Sequence, residues 1–133
     1  MKRIEILKEN QIFVFGSNAN GYHAGGAARQ ALDKFGACWG KPKGIQGQSY
    51  AIVTLDENMH RVPLCYIEEQ LEELREFAIR HPDKEFLVTA IGCGIAGFRI
   101  KEIATVIRDI GKNAGAWPSN VVFPEEFKKA PGE

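Results

Sequence analysis

A glycine-rich segment in the second half of the chain has the residue types and spacing of a nucleotide-binding loop. Residues 92–97 read G-C-G-I-A-G after an apolar run, so they match the pattern G-x-G-x-x-G. Glycines allow positive φ angles and a close approach between backbone and ligand. The free amides at the start of the following helix favour an anion. The segment therefore predicts an anion-binding loop, and its sequence motif is the one found in dinucleotide-binding units.

A second glycine-rich segment lies near the start of the chain. Residues 15–28 read F-G-S-N-A-N-G-Y-H-A-G-G-A-A, again between a predicted strand and a predicted helix. Such loops lie outside the carboxyl ends of parallel strands, where α/β proteins bind ligands. Two of them facing one crevice, with no lysine nearby, favour a diphosphate held mainly by backbone N–H groups. The alternative is that the glycines only form tight turns.

Strand-like and helix-like segments alternate along the chain and would position these loops. Apolar runs predict strands over residues 11–16, 49–55, 85–91 and 120–124. Helical periodicity and stop signals predict helices over residues 25–36, 64–80 and 99–113, with a helical turn after Pro124. Residues 40–48 have the composition of a loop.

The order of these elements predicts an α/β fold. We expect a three-layer α/β/α sandwich with a mixed, largely parallel central sheet. The length favours a single domain over residues 1–133, and we expect a flexible tail over residues 128–133.

The same order argues against a dehydrogenase-type cofactor loop. A Rossmann unit has its glycine loop early and an acidic residue about 20 residues further on, at the end of the next strand. Here the loop begins at Gly92 of 133 residues, and the next strand ends at Phe123 and Pro124. A P-loop is also excluded, because no Gly-Lys-Ser/Thr sequence follows either glycine run.

Composition and charge exclude other classes of function. Lysines and arginines number 17, and so do aspartates and glutamates, so the formal net charge is zero and we expect no general nucleic-acid binding. No apolar segment is long enough to span a membrane, and we expect no membrane partner. The cysteines form no CxxC pair, and neither they nor the histidines have metal-ligand spacing. We expect a reduced, cytoplasmic protein without a metal or cofactor.

The two loops and the segment between them resemble the macrodomain family, whose members bind ADP-ribose. The first loop and its helix read G-S-N-A-N-G-Y-H-A-G-G-A-A-R-Q-A-L, and residues 91–98 match the family form I-x-x-G-I-x-G-F. Residues 50–74 are similar to the branch that includes the terminal ADP-ribose glycohydrolase. The ordered set of motifs is closest to small macrodomain-like proteins of bacteria and phages, and it covers residues 9–127.

The resemblance implies a role for residues of both loops. The amides around Gly25 and Gly26 would hold one phosphate, and those around Gly94 the other. Asn18 would contact the distal ribose. Asn10 stands where the family often has an aspartate that recognises adenine, and Phe98 would pack near the sugar or base. The implied ligand-binding residues are Gly16, Ser17, Asn18, Asn20, His23, Ala24, Gly25, Gly26, Ala27, Thr54, Ile91, Gly92, Cys93, Gly94, Ile95, Ala96, Gly97 and Phe98.

Two departures from the family concern catalysis. The hydrolase branch uses a lysine after the middle strand as nucleophile and an aspartate in the second loop, and here these positions hold Leu55 and Ala96. Leucine cannot form a covalent adduct, and alanine cannot transfer a proton. We therefore expect a module that binds a small molecule, ADP-ribose or a close derivative, either free or on an ADP-ribosylated macromolecule. The alternatives are hydrolysis of ADP-ribose from protein or nucleic acid, with Asn18 and His23 as candidate catalytic residues, and a non-catalytic interaction module.

Four side chains each have two interpretations. Cys93 is a reactive thiol at a helix N-terminus or a small residue that fits the loop. His23 is a general base or a loop residue at the mouth of the site. Trp39 stacks on a base or covers the edge of the core. Asn20 contacts the ligand or forms a turn.

Overall fold

The protein has an α/β fold with a mixed five-stranded sheet, as seen in a computed structural model that describes residues 4–128. The flexible tail predicted for residues 128–133 lies outside this range, apart from Lys128 at the end of the last helix. The elements in chain order are β1 (Gln11–Asn18), α1 (Gly26–Lys34), β2 (Gly44–Gln46), β3 (Ser49–Leu55), α2 (Leu64–Arg80), β4 (Glu85–Val88), α3 (Ile100–Asn113), β5 (Val121–Val122) and α4 (Glu125–Lys128).

The strand β1 lies at the centre of the sheet, whose order is β2-β3-β1-β4-β5. It is parallel to β3 and to β4, with Phe13 opposite Ser49 on one side and Gln11 opposite Glu85 on the other. The strand β5 is parallel to β4, and β2 is antiparallel to β3. Because β1, β3 and β4 are parallel neighbours, their carboxyl ends meet at one edge of the sheet.

Helices pack on both faces of this sheet because residues of β1 alternate in direction. Phe13 and Phe15 belong to an apolar cluster with Ala28 and Ala31 of α1. Val14 belongs to the other cluster, which includes the apolar residues of α2 and α3, namely Ile67, Leu71, Leu74, Ile103, Ile107 and Ile110. No helix within residues 4–128 combines the length and the apolar composition needed to cross a bilayer.

The predicted β3 and α2 are confirmed, and four other predictions need correction. Residues 40–48 are not all loop, because β2 pairs with β3 through a turn in which Gly47 has a φ of 60°. The third predicted strand ends at Val88, where the chain turns: the Thr89 hydroxyl donates to the Val14 carbonyl at 2.8 Å. The last predicted strand shortens to β5, whereas β1 continues to Asn18.

Candidate ligand-binding site

A cleft of about 290 Å³ lies at the sheet edge where β1, β3 and β4 end. Its walls are loop 1, which joins β1 to α1, and loop 2, which joins β4 to α3. The predicted pair of loops therefore does share one crevice. The residues that line the cleft are Gly16, Ser17, Asn18, Tyr22, Ala24, Gly25, Gly26, Ala27, Ala28, Thr54, Leu55, Met59, Thr89, Ala90, Ile91, Gly92, Gly94, Ile95 and Ala96.

The floor of the cleft depends on the absence of a side chain at Gly16. A Cβ atom there would lie 3.3 Å from Cγ2 of Thr54 and 3.7 Å from the amide nitrogen of Gly92. Thr54 donates its hydroxyl hydrogen to the Ser17 carbonyl at 3.1 Å. Ser17 in turn donates to the Pro42 carbonyl. Gly16 thus allows the end of β3 and the start of loop 2 to approach β1 closely.

Loop 1 is held in shape by the side chain of Asn18, which is buried and lines the cleft. Its Oδ1 accepts a hydrogen bond from the Tyr22 amide at 3.0 Å, and its Nδ2 donates to the Tyr22 carbonyl at 2.9 Å. Both polar groups of Asn18 therefore already fix the loop. Each keeps one further hydrogen-bonding position, because an amide oxygen has two lone pairs and an amide nitrogen two hydrogens.

Loop 2 folds over Phe98. The Phe98 amide donates to the Gly92 carbonyl at 2.8 Å, and the Gly97 amide donates to the Gly94 carbonyl at 3.0 Å. Gly92 has a φ of 76°, and a Cβ atom there would lie 3.1 Å from the Phe98 ring. These bonds leave the amides of Gly94, Ile95 and Ala96 without an acceptor within the described residues.

The start of α1 offers a second set of free amides. Gly25 is the N-cap residue and has no side-chain capping bond, and the first turn contains no acidic residue. The first amides of a helix have no partner within the helix, and together with the helix dipole they attract an anion. Gly25 and Gly94 both have open space where a Cβ atom would stand. Each loop can therefore present bare backbone to an anion.

The cleft contains few groups for acid–base chemistry. Within the described residues no carboxylate, imidazole, amine or thiol lines it, and Tyr22 is its one titratable side chain. Leu55 and Ala96, which stand where the resemblance implies a lysine and an aspartate in the hydrolase branch, both line it. The nearby Asp56 lies outside the lining and accepts from the amides of Asn58 and His60, both at 2.9 Å. The bond from His60, helped by that from Asn58, lowers the pKa of Asp56.

Cys93 lies outside the lining of the cleft and is half-buried. Burial raises the pKa of its thiol from 9.0 to about 11, with smaller contributions from Glu126 and Glu102. A reactive cysteine at a helix N-terminus needs a lowered pKa, so this environment favours the interpretation of Cys93 as a small residue that fits the loop.

His23 is fully buried and lies away from the mouth where we expected it. Its Nε2 is 3.1 Å from the Lys41 carbonyl and 3.2 Å from Oε1 of Gln46, and its ring meets Phe15 edge-on. Both neighbours of Nε2 are acceptors, so this nitrogen carries the hydrogen. The other nitrogen, Nδ1, has no partner within the described residues. His23 thus connects loop 1 to the segment before β2 and does not face the cleft.

Two other predicted site residues, Asn20 and Phe98, support the loops from outside the cleft, and a third, Asn10, lies away from both loops. Asn20 donates to the Glu57 carbonyl at 3.1 Å and so ties loop 1 to the turn after β3. Phe98 is buried under loop 2, with the guanidinium of Arg61 at 4.9 Å from its ring centre. Arg61 also donates to the carbonyl of Gly97 at 3.3 Å. Asn10 is exposed. It lines neither the cleft nor the larger cavity, described below, that adjoins the cleft.

Sequence reasoning missed several residues of the lining, above all Tyr22 and Met59. Met59 is the one non-glycine residue with a positive φ among the described residues, at 64°. Met59 lies in the turn after β3. Because β3 is parallel to β1, this turn lies at the sheet edge where ligands bind, and its position could have indicated that Met59 lines the cleft. The other residues missed are Ala28, Thr89 and Ala90.

A larger cavity of about 1020 Å³ adjoins the cleft and is called the side cavity below. Gly25, Gly26, Ala27 and Thr89 line both, so the two spaces meet at the start of α1. Part of the side cavity is apolar, formed by Phe13, Leu87, Val88, Val122, Phe123 and Pro124.

Comparison of the chain with protein-family models and with curated proteins gives no match.

Proposed function

We propose that this protein binds ADP-ribose, or a close derivative with the same diphosphate-linked riboses, in the cleft between loop 1 and loop 2. The observation that carries the proposal is the pair of backbone anion sites on opposite walls of one cleft. One is the uncapped start of α1 at Gly25, and the other is the run of free amides at Gly94, Ile95 and Ala96. Two phosphates joined by one oxygen match two such sites better than a single phosphate does.

The dimensions of the two cavities agree with a ligand of this size. Pockets for small molecules have volumes of about 300 to 1,000 Å³, so the cleft alone, at about 290 Å³, suits a diphosphate and one sugar. The side cavity begins at the same glycines and has apolar residues such as Leu87 and Phe123. We assign the flat adenine base to this side cavity.

The arrangement of helices on both faces of the sheet is compatible with the three-layer sandwich that the resemblance to macrodomains implies. The sequence resemblance and the geometry of the cleft are separate arguments, and both support the same ligand. The three-layer macrodomain fold is accordingly part of the proposal.

Binding is better supported than hydrolysis. A hydrolase of this type needs a nucleophile or a general base within hydrogen-bond reach of the distal ribose. The lining supplies only amide, hydroxyl and apolar side chains. His23 is oriented toward Lys41 and Gln46 and does not line the cleft.

Titration calorimetry with ADP-ribose, ADP and AMP tests the proposal. We expect ADP-ribose to bind with a dissociation constant on the order of micromolar, and AMP to bind at least about tenfold more weakly because it lacks the second phosphate and the distal ribose. Absence of heat, together with absence of any shift in melting temperature at millimolar ADP-ribose, would overturn the proposal. That outcome would favour an interaction module in which the glycines only form turns.

A further inference from the structure

An exposed pair of stacked aromatic rings stands beside the cleft. Tyr22 and Trp39 have ring centres 5.2 Å apart and ring planes 15° apart. Their exposed fractions are 51% and 55%. Trp39 therefore does not cover the edge of the core, which was one interpretation of the sequence. Aromatic rings kept in water at the mouth of a cavity indicate a binding surface.

The backbone under the two rings is closely packed and hydrogen-bonded. The Gly40 amide donates to the Gly21 carbonyl at 2.8 Å, and a Cβ atom on Gly21 would lie 2.5 Å from the Gly40 carbonyl carbon. The Asn18 side chain clamps the backbone of Tyr22 from the other side. The stack is thus preorganised, so a ligand that binds on it loses little free energy to ordering the protein.

The cleft beside the stack also has exposed apolar side chains. Tyr22, Met59 and Ile95 all line the cleft, and Met59 and Ile95 are exposed to 47% and 83%. With Trp39, these make four of the seven large apolar side chains that are exposed within the described residues. Neither Tyr22 nor Met59 lines the side cavity, so the stack lies on the part of the cleft that the adenine does not occupy.

We propose that the Tyr22–Trp39 stack receives a planar, electron-poor aromatic ring attached to the distal ribose, so that the preferred ligand is a dinucleotide of the NAD⁺ type. The inference rests on the proposed function, because the diphosphate and the distal ribose must occupy the cleft for the ring to reach the stack. A cationic pyridinium ring is attracted to the electron-rich faces of tryptophan and tyrosine. A stack of two rings offers area for one such ring, far less than the roughly 800 Å² per partner of a protein interface.

Calorimetry with two ligands separates this inference from the proposed function. The titrations use NAD⁺ and ADP-ribose against the wild type, Trp39→Ala and Ile79→Ala. Ile79 is a matched control, because it is an exposed large apolar residue that lines neither cavity. We expect Trp39→Ala to weaken NAD⁺ binding by about tenfold, a usual effect of losing one stacking partner, and to change ADP-ribose binding by less than about twofold. Ile79→Ala should change neither.

The other outcomes of these titrations contradict either the inference about the stack alone or both proposals. If the wild type binds ADP-ribose but not NAD⁺, or if Trp39→Ala changes the two affinities equally or not at all, the stack does not recognise the terminal ring of NAD⁺, and the proposed function stands. If the wild type binds neither ligand, both proposals fail.

A fluorescence measurement gives a second readout that does not depend on the alanine variant. The chain has two tryptophans, and Trp117 is partly buried with its indole donating to the Ile107 carbonyl at 2.9 Å. In Trp117→Phe, Trp39 is the one remaining tryptophan reporter. We expect NAD⁺ to quench its emission and ADP-ribose to leave it nearly unchanged. Equal responses to the two ligands would overturn the inference.

Discussion

At the scale of single residues, Gly94 is the position where ligand binding and folding can be separated. It lines the cleft, has open space where a Cβ atom would stand, and belongs to the run of free amides. An added methyl group would therefore meet the proposed ligand and no part of the protein within residues 4–128. The same argument does not hold for Gly92, where a Cβ atom would press on the Phe98 ring.

We expect Gly94→Ala to weaken ADP-ribose binding by at least about tenfold and to change the free energy of unfolding by less than about 0.5 kcal/mol. Gly111→Ala is a matched control. Gly111 lies inside α3, and a Cβ atom there would make an ordinary contact of 3.5 Å with the Trp117 side chain. That variant should bind normally and be slightly more stable, since alanine is a better helix former than glycine. Calorimetry and urea unfolding measure both properties. Normal binding by Gly94→Ala would show that loop 2 does not contact the ligand.

Cys93 is expected to be the least reactive of the three cysteines. Cys38 and Cys65 are exposed, whereas burial raises the pKa of Cys93 to about 11. Maleimide labelling at pH 7.5, followed by mass spectrometry, should modify Cys38 and Cys65 first, because the thiolate is the reactive form. Preferential labelling of Cys93 would contradict the raised pKa of its thiol.

The same pKa predicts how stability depends on pH. A folded-state pKa of about 11, above the ordinary 9.0, means that the thiol stabilises the fold fully below pH 9 and loses this contribution as the pH rises from 9 through 11. Urea unfolding at pH 8 and at pH 10 should therefore show a smaller difference in Cys93→Ser than in the wild type. An unchanged difference would mean that Cys93 titrates normally in the folded protein.

At the scale of elements, one helix side chain completes the hydrogen bonding of a strand. β2 pairs with β3 only as far as Ala51, so Val53 has no strand partner on that side among residues 4–128. Gln70 of α2 is buried and replaces the missing strand. Its Oε1 accepts from the Val53 amide at 2.7 Å, and its Nε2 donates to the Val53 carbonyl at 2.9 Å. The largely apolar contact between α2 and β3 therefore includes one buried polar pair.

We expect Gln70→Leu to lower the free energy of unfolding by about 3 kcal/mol, because it leaves two buried backbone groups of Val53 without a partner. Glu69→Leu changes an exposed residue of the same helix and should alter stability by less than about 0.5 kcal/mol. Urea denaturation followed by circular dichroism measures both. Similar effects in the two variants would show that the bonds to Val53 add little.

The elements that the sequence predicts well are those whose signal is local. The spacing of Leu64, Ile67, Leu71 and Leu74 defines α2 without reference to any other segment. The strand β2 has no such signal, because its three residues become a strand only by pairing with β3. β4 ends next to Thr89, whose amide and hydroxyl both donate to the Val14 carbonyl of another strand, and no local pattern contains such a contact.

The site divides in the same way. The glycines that expose the backbone amides could be found from the sequence pattern of the loops, because a positive φ or a close approach of the backbone favours glycine. Tyr22 and Met59 could not, because their place in the lining depends on which turns meet in space. His23 was misplaced because the sequence does not show that Gln46 and the Lys41 carbonyl face it from another segment.

At the scale of the whole molecule, the balance of charge restricts the partners. With 17 basic and 17 acidic residues the formal net charge is zero, so no long-range field attracts a polyanion. We expect no binding of duplex DNA in fluorescence anisotropy at 150 mM salt and up to roughly 10 µM protein. A basic protein of similar size serves as positive control. Binding that weakens steeply with added salt would reveal a cationic patch and contradict this expectation.

The parallel pairing of β1 with β4 has a consequence for the synthesis of the chain. The two walls of the cleft follow β1 and β4, and the bond between Gln11 and Glu85 joins residues 74 positions apart. Loop 1 therefore leaves the ribosome well before loop 2 exists, so a nascent chain that ends before loop 2 lacks one wall of the cleft. Contacts this distant in sequence also slow folding. The proposed ligand, added during translation, would consequently act late, by stabilising molecules in which both walls are present and not by guiding early ones.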